Sequence, residues 1–542
     1  MNTVEKKKKN TKIINRRFLS CLFQVGDFLF YFIPAWKNLQ VSKVDETLSQ
    51  MKMFYSIDEK FKLWIVNYMP NLRTILLLEG VSRIEYFSIY DEMQNIQQNY
   101  ENKLNVYDLK WPRDVSFVYS QFAIYVLKEN YHFASIYFDS LNNLKIIEKF
   151  DKKQKKNEKI IFDDRGFISS VEKYKDDVIY KSEFYNQLNQ LQFTIDHSNG
   201  GEVILGEYNK KRYNRETFES MNDFIKCVLS SHFQSISEQD VVVVALDDEL
   251  VGQIDIENRP NYKLVSSIFS NRKVNLSSEK IRKICNQSSL VLVDQQRMIQ
   301  ELNVQAPVQS ITPYDAVLKL GESQQVGYYQ IHYVLDSKNE ITSKQMLNFV
   351  IQCYQKYNWH FRIHCLKEWE ISELKELFIQ MLSSLFDIST TTIQELIRSY
   401  NQQSENKEID EYLDPIYSEN IELIKKMIKD ITFEFFISKE DLLASLLHTR
   451  LIIDLSEYPD VLTQICGIST GIPMINSTDS SYIVHQKNGW IIKDKTELLE
   501  VMHYYLDELS HWNEALVYSV AQLKKYTDGA IVHKWKEWLH ID

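Results

Sequence analysis

Nucleophiles, metal ligands and phosphate loops each need particular residues at fixed spacing, and most of those patterns are missing here. No G-x-G-x-x-G, G-x-x-x-x-G-K-[ST], G-x-S-x-G or H-E-x-x-H occurs. His360 and His364, in Trp-His-Phe-Arg-Ile-His, fall on one face of a predicted strand and could share a metal. No acidic or cysteine partner stands at ligand spacing, so a buried or edge histidine pair is the expectation. The informative stretch is 451–492. It predicts a strand ending at Leu455, a helix over 458–469, a Gly471-Ile-Pro473 turn, a strand at Met474–Ile475 and a hairpin-like turn at Asn488-Gly489.

The elements that must position these residues fall into three blocks. Residues 29–106 alternate β and α: a strand at Phe30–Ile33, a helix over Asp45–Met53, a strand over Phe61–Tyr68, a short buried run at Ile75–Leu78 and a helix over Tyr86–Gln97. From 107 to 206 the chain changes to short β-branched and aromatic runs separated by Asn142-Asn143, Asp163-Asp164-Arg165-Gly166 and Ser198-Asn199-Gly200-Gly201. Asn-Gly suits hairpin turns with positive φ, and Asp-Asp-Arg-Gly suits a type I turn with a glycine bulge, so an antiparallel meander is predicted. The α/β pattern resumes with an amphipathic helix over Phe218–Phe233 and the apolar run Asp240-Val-Val-Val-Val-Ala-Leu246, the mark of a strand in a parallel sheet.

A second α/β unit is read from about 276, with strands at Leu290–Val293, Tyr328–Leu335, Trp359–Leu366, Thr432–Ile437, Leu451–Leu455 and Met474–Ile475. The helical C-terminal stretch holds Trp512, Trp535 and Trp538 at spacings that suit a core. The expected division is a basic tail over 1–28, one α/β domain made of 29–106 plus 207–275, an inserted sheet over 107–206, a second α/β domain over 276–526 and a terminal helix over 527–542.

Composition narrows the function classes. The chain has 542 residues but only 13 glycines, well under the usual share of about 7%. Loops that wrap phosphates need glycine for close backbone approach, so a nucleotide-handling enzyme is disfavoured. The net charge is −11, and seven cations among the first 26 residues, against Glu5 alone, leave about −17 on the rest. A body so acidic is a poor partner for nucleic acid, whose binding rests on phosphate neutralisation. The basic tail could touch anionic lipid at the inner membrane face, though a disordered tail is the plainer expectation. Gln24 and Asp27 break the one signal-like apolar run, and no other segment has eighteen uncharged apolar residues. Six cysteines with no C-x-x-C read as reduced buried thiols of a cytoplasmic protein.

The 451–492 block resembles the donor half of GT-B glycosyltransferases, in which a strand ending in serine is followed by a helix, a G-x-P turn and a further strand. In retaining members two glutamates separated by seven residues hold the nucleotide-sugar. Laying Gly471 and Pro473 on the G-x-P puts the second glutamate at Cys466 and the first at Tyr458, with Glu457 one place off. A cysteine cannot accept hydrogen bonds from ribose hydroxyls as a carboxylate does. Losing one preorganised polar group costs about 10²–10³ in rate, so losing both should abolish useful turnover. Tyr458, Cys466, Gly471, Pro473, Asn488 and Gly489 are therefore the candidate relic of a donor cleft. The resemblance implies no catalysis, cofactor or metal, with an active retaining transferase as the alternative.

Five segments sharpen the resemblance: Phe30-Tyr-Phe-Ile-Pro-Ala-Trp36, Asn67-Tyr-Met-Pro-Asn-Leu-Arg73, Leu109-Lys-Trp-Pro112, Phe162-Asp-Asp-Arg-Gly-Phe-Ile168 and Leu455-Ser-Glu-Tyr-Pro-Asp460 through Gly471-Ile-Pro473. Together they resemble the first accessory secretory protein family of the accessory Sec system. That resemblance implies a GT-B-like fold: two Rossmann-like domains facing a cleft, with an inserted antiparallel extended β-sheet domain. It implies a non-catalytic role beside companion accessory Sec proteins and the accessory motor ATPase, in export of glycosylated serine-rich repeat adhesins. The family begins with Met before the Phe-Tyr-Phe-Ile-Pro-Ala-Trp strand, where this sequence has Leu29, so residues 1–28 are expected to be an extension ahead of a leucine-codon start. Asn67 and Arg73, after a strand where open α/β sheets place their clefts, and Asp163, Asp164, Arg165 and Gly166 are the candidate partner or cargo contacts.

Overall fold

The computed structural model describes residues 28–37, 41–97, 101–129, 131–254, 261–272, 274–335, 340–401 and 415–541. The tail expected over 1–28, Phe28 apart, lies outside the described residues. Three sheets organise the rest.

The first is parallel and has seven strands, in the order Val308–Ser310, Leu290–Val293, Lys263–Ile268, Val241–Ala245, Phe30–Ile33, Phe61–Ile65, Glu85–Ser88. Its central strands bury both faces, as the uninterrupted apolar run predicts. One sequence assignment is corrected by the register. Leu290–Val293 pairs in parallel with Val265–Ile268 of the first sheet, so that sheet runs past 276 to Ser310. The run at Ile75–Leu78 is also corrected: it is part of the helix Leu72–Leu78, and Leu77 and Leu78 face solvent. The helix predicted over Tyr86–Gln97 begins as the edge strand Glu85–Ser88 and turns helical only over Ile89–Met93.

The inserted sheet has ten antiparallel strands joined in sequence order, from Val115–Tyr119 at one edge to the two-residue Thr217–Phe218 at the other. Strands Leu191–Asp196 and Val178–Tyr185, third and fourth in from the Thr217–Phe218 edge, meet the first lobe through a packed aromatic core. Phe184 stacks on Phe193 at 4.4 Å between centroids, and Phe193 meets Phe224 edge-on at 5.6 Å. The third sheet is parallel, ordered Ile431–Glu434, His360–Cys365, Gln330–Leu335, Thr449–Asp454, Met474–Asn476, Gly489–Ile491.

The last helix, Asp528–Leu539, crosses back to the first lobe. Trp535 is fully buried there, with its ring 5.6 Å from Phe54 and 6.3 Å from Phe32. Trp512 is buried under Arg450, whose C=O accepts its indole N–H at 2.8 Å. The mouths of the two parallel sheets, where strand order reverses, face one another across the groove between the lobes. Open α/β sheets bind their ligands at such places.

Candidate functional site

The mouth of the third sheet is the place for a donor. Helix Val461–Thr470 starts just beyond the strand Thr449–Asp454, and its first N–H groups are the natural seat of a phosphate. The chain fills that seat with its own carboxylates. Asp460 caps the helix, accepting from the Thr463 N–H at 2.8 Å and from the Thr463 hydroxyl at 2.6 Å. Asp454 accepts from the Asp460 N–H at 2.7 Å and the Ser456 N–H at 3.0 Å. Burial pushes the Asp454 carboxyl up to about 6, which still leaves it mostly ionised at neutral pH. A diphosphate would meet the carboxylates of Asp454 and Asp460 at this terminus.

A histidine pair lies beneath. Thr463 Oγ1 is 3.4 Å from His364 Nδ1, which is 3.3 Å from His332 Nε2. Burial pulls His364 down to about 4, so it is uncharged at neutral pH. The partner of His364 is thus His332 on the neighbouring strand, whereas His360 stacks on Tyr328 at 4.2 Å. Among the described residues no group of three or more His, Cys, Asp or Glu could hold a metal ion.

Tyr458 and Cys466 do not share a pocket. Cys466 is fully buried in the core formed with Ile452, Leu446 and Met474, and burial raises its thiol pKa far above the ordinary value. Tyr458 points to the other lobe. Its hydroxyl donates to Glu301, with both carboxylate oxygens within 2.9 Å. Burial, with that carboxylate behind it, pushes the phenol up to about 12. Arg297 bonds Glu301 at 2.9 Å, pairs with Glu457 at 2.7 Å and lies 5.5 Å from the Tyr458 ring centre. Gln295 donates to the Pro459 C=O at 2.6 Å, and the Tyr482 hydroxyl donates to the Asp294 C=O at 2.9 Å. The segment 294–301 therefore latches the first lobe onto the second across the donor mouth. The roles of Arg297 and Glu301 in the latch have no signature in the sequence, because Glu457 and Tyr458 lie more than 150 residues away.

The remaining residues of the supposed donor relic shape backbone. Gly471 has φ +74° and ends the helix Val461–Thr470. Pro473 gives its C=O to the Ile452 N–H at 3.1 Å. The expected hairpin at Asn488-Gly489 is corrected. The positive φ falls on Gln486, and Gly489 opens a strand parallel to Met474–Asn476. Asn488 is fully buried, its side chain bonding the Val484 N–H at 2.8 Å and the Tyr482 C=O at 2.9 Å. A Cβ on Gly489 would stand 2.2 Å from the Met474 oxygen, so only glycine lets these strands pair. Beside the latch lies a cavity of about 430 Å³ whose wall is mainly apolar, including Tyr333, Met346, Phe349 and Leu455, with Glu457 and Lys495 among its charged groups.

The candidate partner contacts serve the junction of the first lobe with the inserted sheet. Arg165 is 4% exposed and bonded on both sides: to Asp163 at 2.6 Å and bidentately to Asp91 at 2.8 Å. Asp164 accepts the Thr74 N–H at 2.7 Å, while its own N–H donates to the Pro70 C=O. Gly166, at φ +84°, lies under the Asn102 carbonyl, which a Cβ would overlap at 1.8 Å. Arg73 pairs with Glu101. Asn67 donates to the Trp36 C=O at 2.6 Å and accepts from Gln253 at 3.2 Å. A cavity of about 640 Å³ opens beside the turn, lined by Asn102, Leu141, Asn143 and Asp163 to Gly166.

Residues 22–541 match the family of accessory Sec system protein Asp-one, the first accessory secretory protein. The chain belongs to that family. It is 29% identical to the Streptococcus gordonii member over 546 residues, spanning 94% of this chain and 99% of the relative. Among solved structures it is similar to the Glycosylation Associate Protein (Gap123) complex from Streptococcus agalactiae, with TM-score 0.70 and 25% identity over 93% of this chain and 99% of the other. It is similar to the structure of accessory secretory proteins 1, 2 and 3 in Streptococcus pneumoniae, with TM-score 0.69 and 24% identity over 94% and 99% of the two chains. The fold extends to an enzyme, the pneumococcal O-GlcNAc transferase GtfA in complex with UDP and GlcNAc, at TM-score 0.65 and 14% identity over 95% of this chain and 98% of that one. The architecture is GT-B-like, with an antiparallel sheet beside two parallel ones. Among the described residues no helix is long and apolar enough to cross a membrane.

Proposed function

We propose that this chain is a non-catalytic adaptor of the accessory Sec pathway, cytoplasmic or peripheral at the inner membrane face. It assembles with companion accessory Sec proteins and acts with the accessory motor ATPase to export glycosylated serine-rich repeat adhesins. One observation carries the non-catalytic part. The helix terminus where a nucleotide-sugar's phosphates would sit is flanked by the carboxylates of Asp454 and Asp460, and the two expected carboxylate positions are a latch tyrosine and a core cysteine. The companions are supported by two similar structures that are complexes of related proteins. Asn67, Arg73 and Asp163 to Gly166 are proposed to serve partners indirectly, by fixing the pose of the inserted sheet.

Isothermal titration with UDP-GlcNAc and UDP-glucose, paired with a transfer assay on an unglycosylated serine-rich repeat, tests the claim. No transfer is expected, and deletion of the chain should stop adhesin export. Steady transfer abolished by altering Ser456 or Asp460 would overturn it in favour of an active retaining transferase.

A further inference from the structure

The open edge of the inserted sheet differs from everything around it. Residues 115–127, Val-Ser-Phe-Val-Tyr-Ser-Gln-Phe-Ala-Ile-Tyr-Val-Leu, hold no charged residue in a chain that is 25% charged. They form the terminal hairpin of strands Val115–Tyr119 and Ile124–Lys128. Among the described residues no strand pairs with the outer side of Val115–Tyr119. Phe122 at the hairpin tip is 82% exposed, Tyr119 61%, Val118 45%, and Tyr107, set against Phe117, 62%.

The inner strands of the same sheet carry cross-strand ion pairs: Lys149 with Glu158 at 2.6 Å, Lys159 with Glu172 at 3.2 Å and Lys173 with Glu183 at 3.0 Å. The opposite edge is reduced to Thr217–Phe218, with Phe218 stacked on Phe224 of the helix Met221–Phe233 at 4.8 Å. Soluble proteins blunt free edges with charge, proline, shortness or cover. This sheet does so at one edge; along the other, residues 115–127 carry neither charge nor proline, and the segment with Leu104, Val106, Leu109 and Trp111 packs beside Val115 and Phe117 without pairing as a strand.

We infer that the edge Val115–Tyr119, with Tyr107 and Phe122 beside it, is the docking strand for a companion accessory Sec protein, which adds an uncharged extended strand of its own. A row of free backbone donors and acceptors is complementary only to another strand, and the missing charge removes any electrostatic selection against an apolar one. Area argues for a folded partner over a loose cargo segment. Large aromatics bury about 150–250 Å² each, so the partly exposed Tyr107, Tyr119 and Phe122 supply roughly half of the ~800 Å² that one side of a stable interface needs. The rest must come from surface that a folded partner brings around the strand. The inference rests on the adaptor reading and gives it a surface.

The test uses the full chain with accessory secretory proteins 2 and 3 of the same organism. Val118→Lys and Phe122→Ser should each weaken binding of one companion at least tenfold, and Val118→Thr, which suits a strand, should bind as the unaltered chain does. Amide exchange at 115–119 should slow on complex formation, and unchanged protection of the inner strands will show that the variants are folded. Binding by both variants at the original affinity would overturn the inference and leave the adaptor reading intact. So would an unaltered chain that is a dimer by itself, made monomeric by Val118→Lys with companion affinity unchanged, since the occupant is then a second copy. An unaltered chain that binds neither companion removes the adaptor reading and the inference together.

Discussion

The inserted sheet has two contrasting borders. Where its middle strands meet the first lobe, polar groups are buried and answered: Arg165 by Asp163 and Asp91, Asp164 by the Thr74 N–H, Gln94 by the Tyr185 C=O at 2.6 Å, and Asn209 by the Met93 C=O at 2.7 Å. At the free hairpin, large apolar groups are exposed instead, Phe122 and Tyr119 most of all. The first border fixes the angle at which the sheet leaves the lobe, because buried charged networks tolerate only one geometry. At the second, Phe117 packs against Tyr107 and Trp111, while Phe122 stays 82% exposed. The contrast teaches that burial of charge marks where this chain holds itself together, and absence of charge marks where it is built to be held.

The comparison can be broken most forcefully at the root. Arg165→Ala leaves Asp163 buried beside Asp91 without its cation and should cost about 3–5 kcal/mol, read as a lower urea midpoint. A loss near zero would mean that the network is ornamental. Gly166→Ala should cost about 2–4 kcal/mol, from the left-handed backbone and the overlap with the Asn102 carbonyl together, with the same readout.

Protonation sharpens the comparison next. Burial, and then the Asp163 charge, push Asp164 up to about 7. The folded chain thus holds this proton more tightly than the unfolded chain, so its contribution to stability falls as pH rises through 7. Above pH 6.5 the lowered His364 no longer opposes the trend. Thermal melts should fall from pH 6.5 and level off once the raised carboxyls are ionised, and Asp164→Asn, which keeps an acceptor for Thr74, should lessen the fall, the remainder belonging to Asp45 and Asp294, which burial also pushes up to about 7. The smallest effect belongs to the free edge. Val118→Lys should change stability by less than about 0.5 kcal/mol, even though it should weaken docking at least tenfold. A large loss there would show that the hairpin packs inward after all.

Several features were legible from residues alone. The Val241–Ala245 run could only be a strand buried on both faces, and the turn-punctuated aromatic runs could only be a meander. The five signature segments led to the family. These signals are local, since alternation, apolar runs and turn residues act over a few positions.

Tertiary structure decided everything that depended on a distant partner. Leu290–Val293 is equally apolar whichever parallel sheet it joins, and only its register with Val265–Ile268 assigned it. Asp163-Asp164-Arg165-Gly166 has the composition of a solvent turn, yet Asp91 lies 74 residues from Arg165 and takes the arginine inward. Asn488-Gly489 has the composition of a hairpin, but the close approach of Met474 uses the glycine for strand pairing instead. Tyr458 was visible as a missing carboxylate, and the latch to Glu301 that it forms was not, because 157 residues separate the two. Sequence fixes what each segment prefers by itself, and the energy of a buried charge or a free edge exists only once the chain has chosen its neighbours.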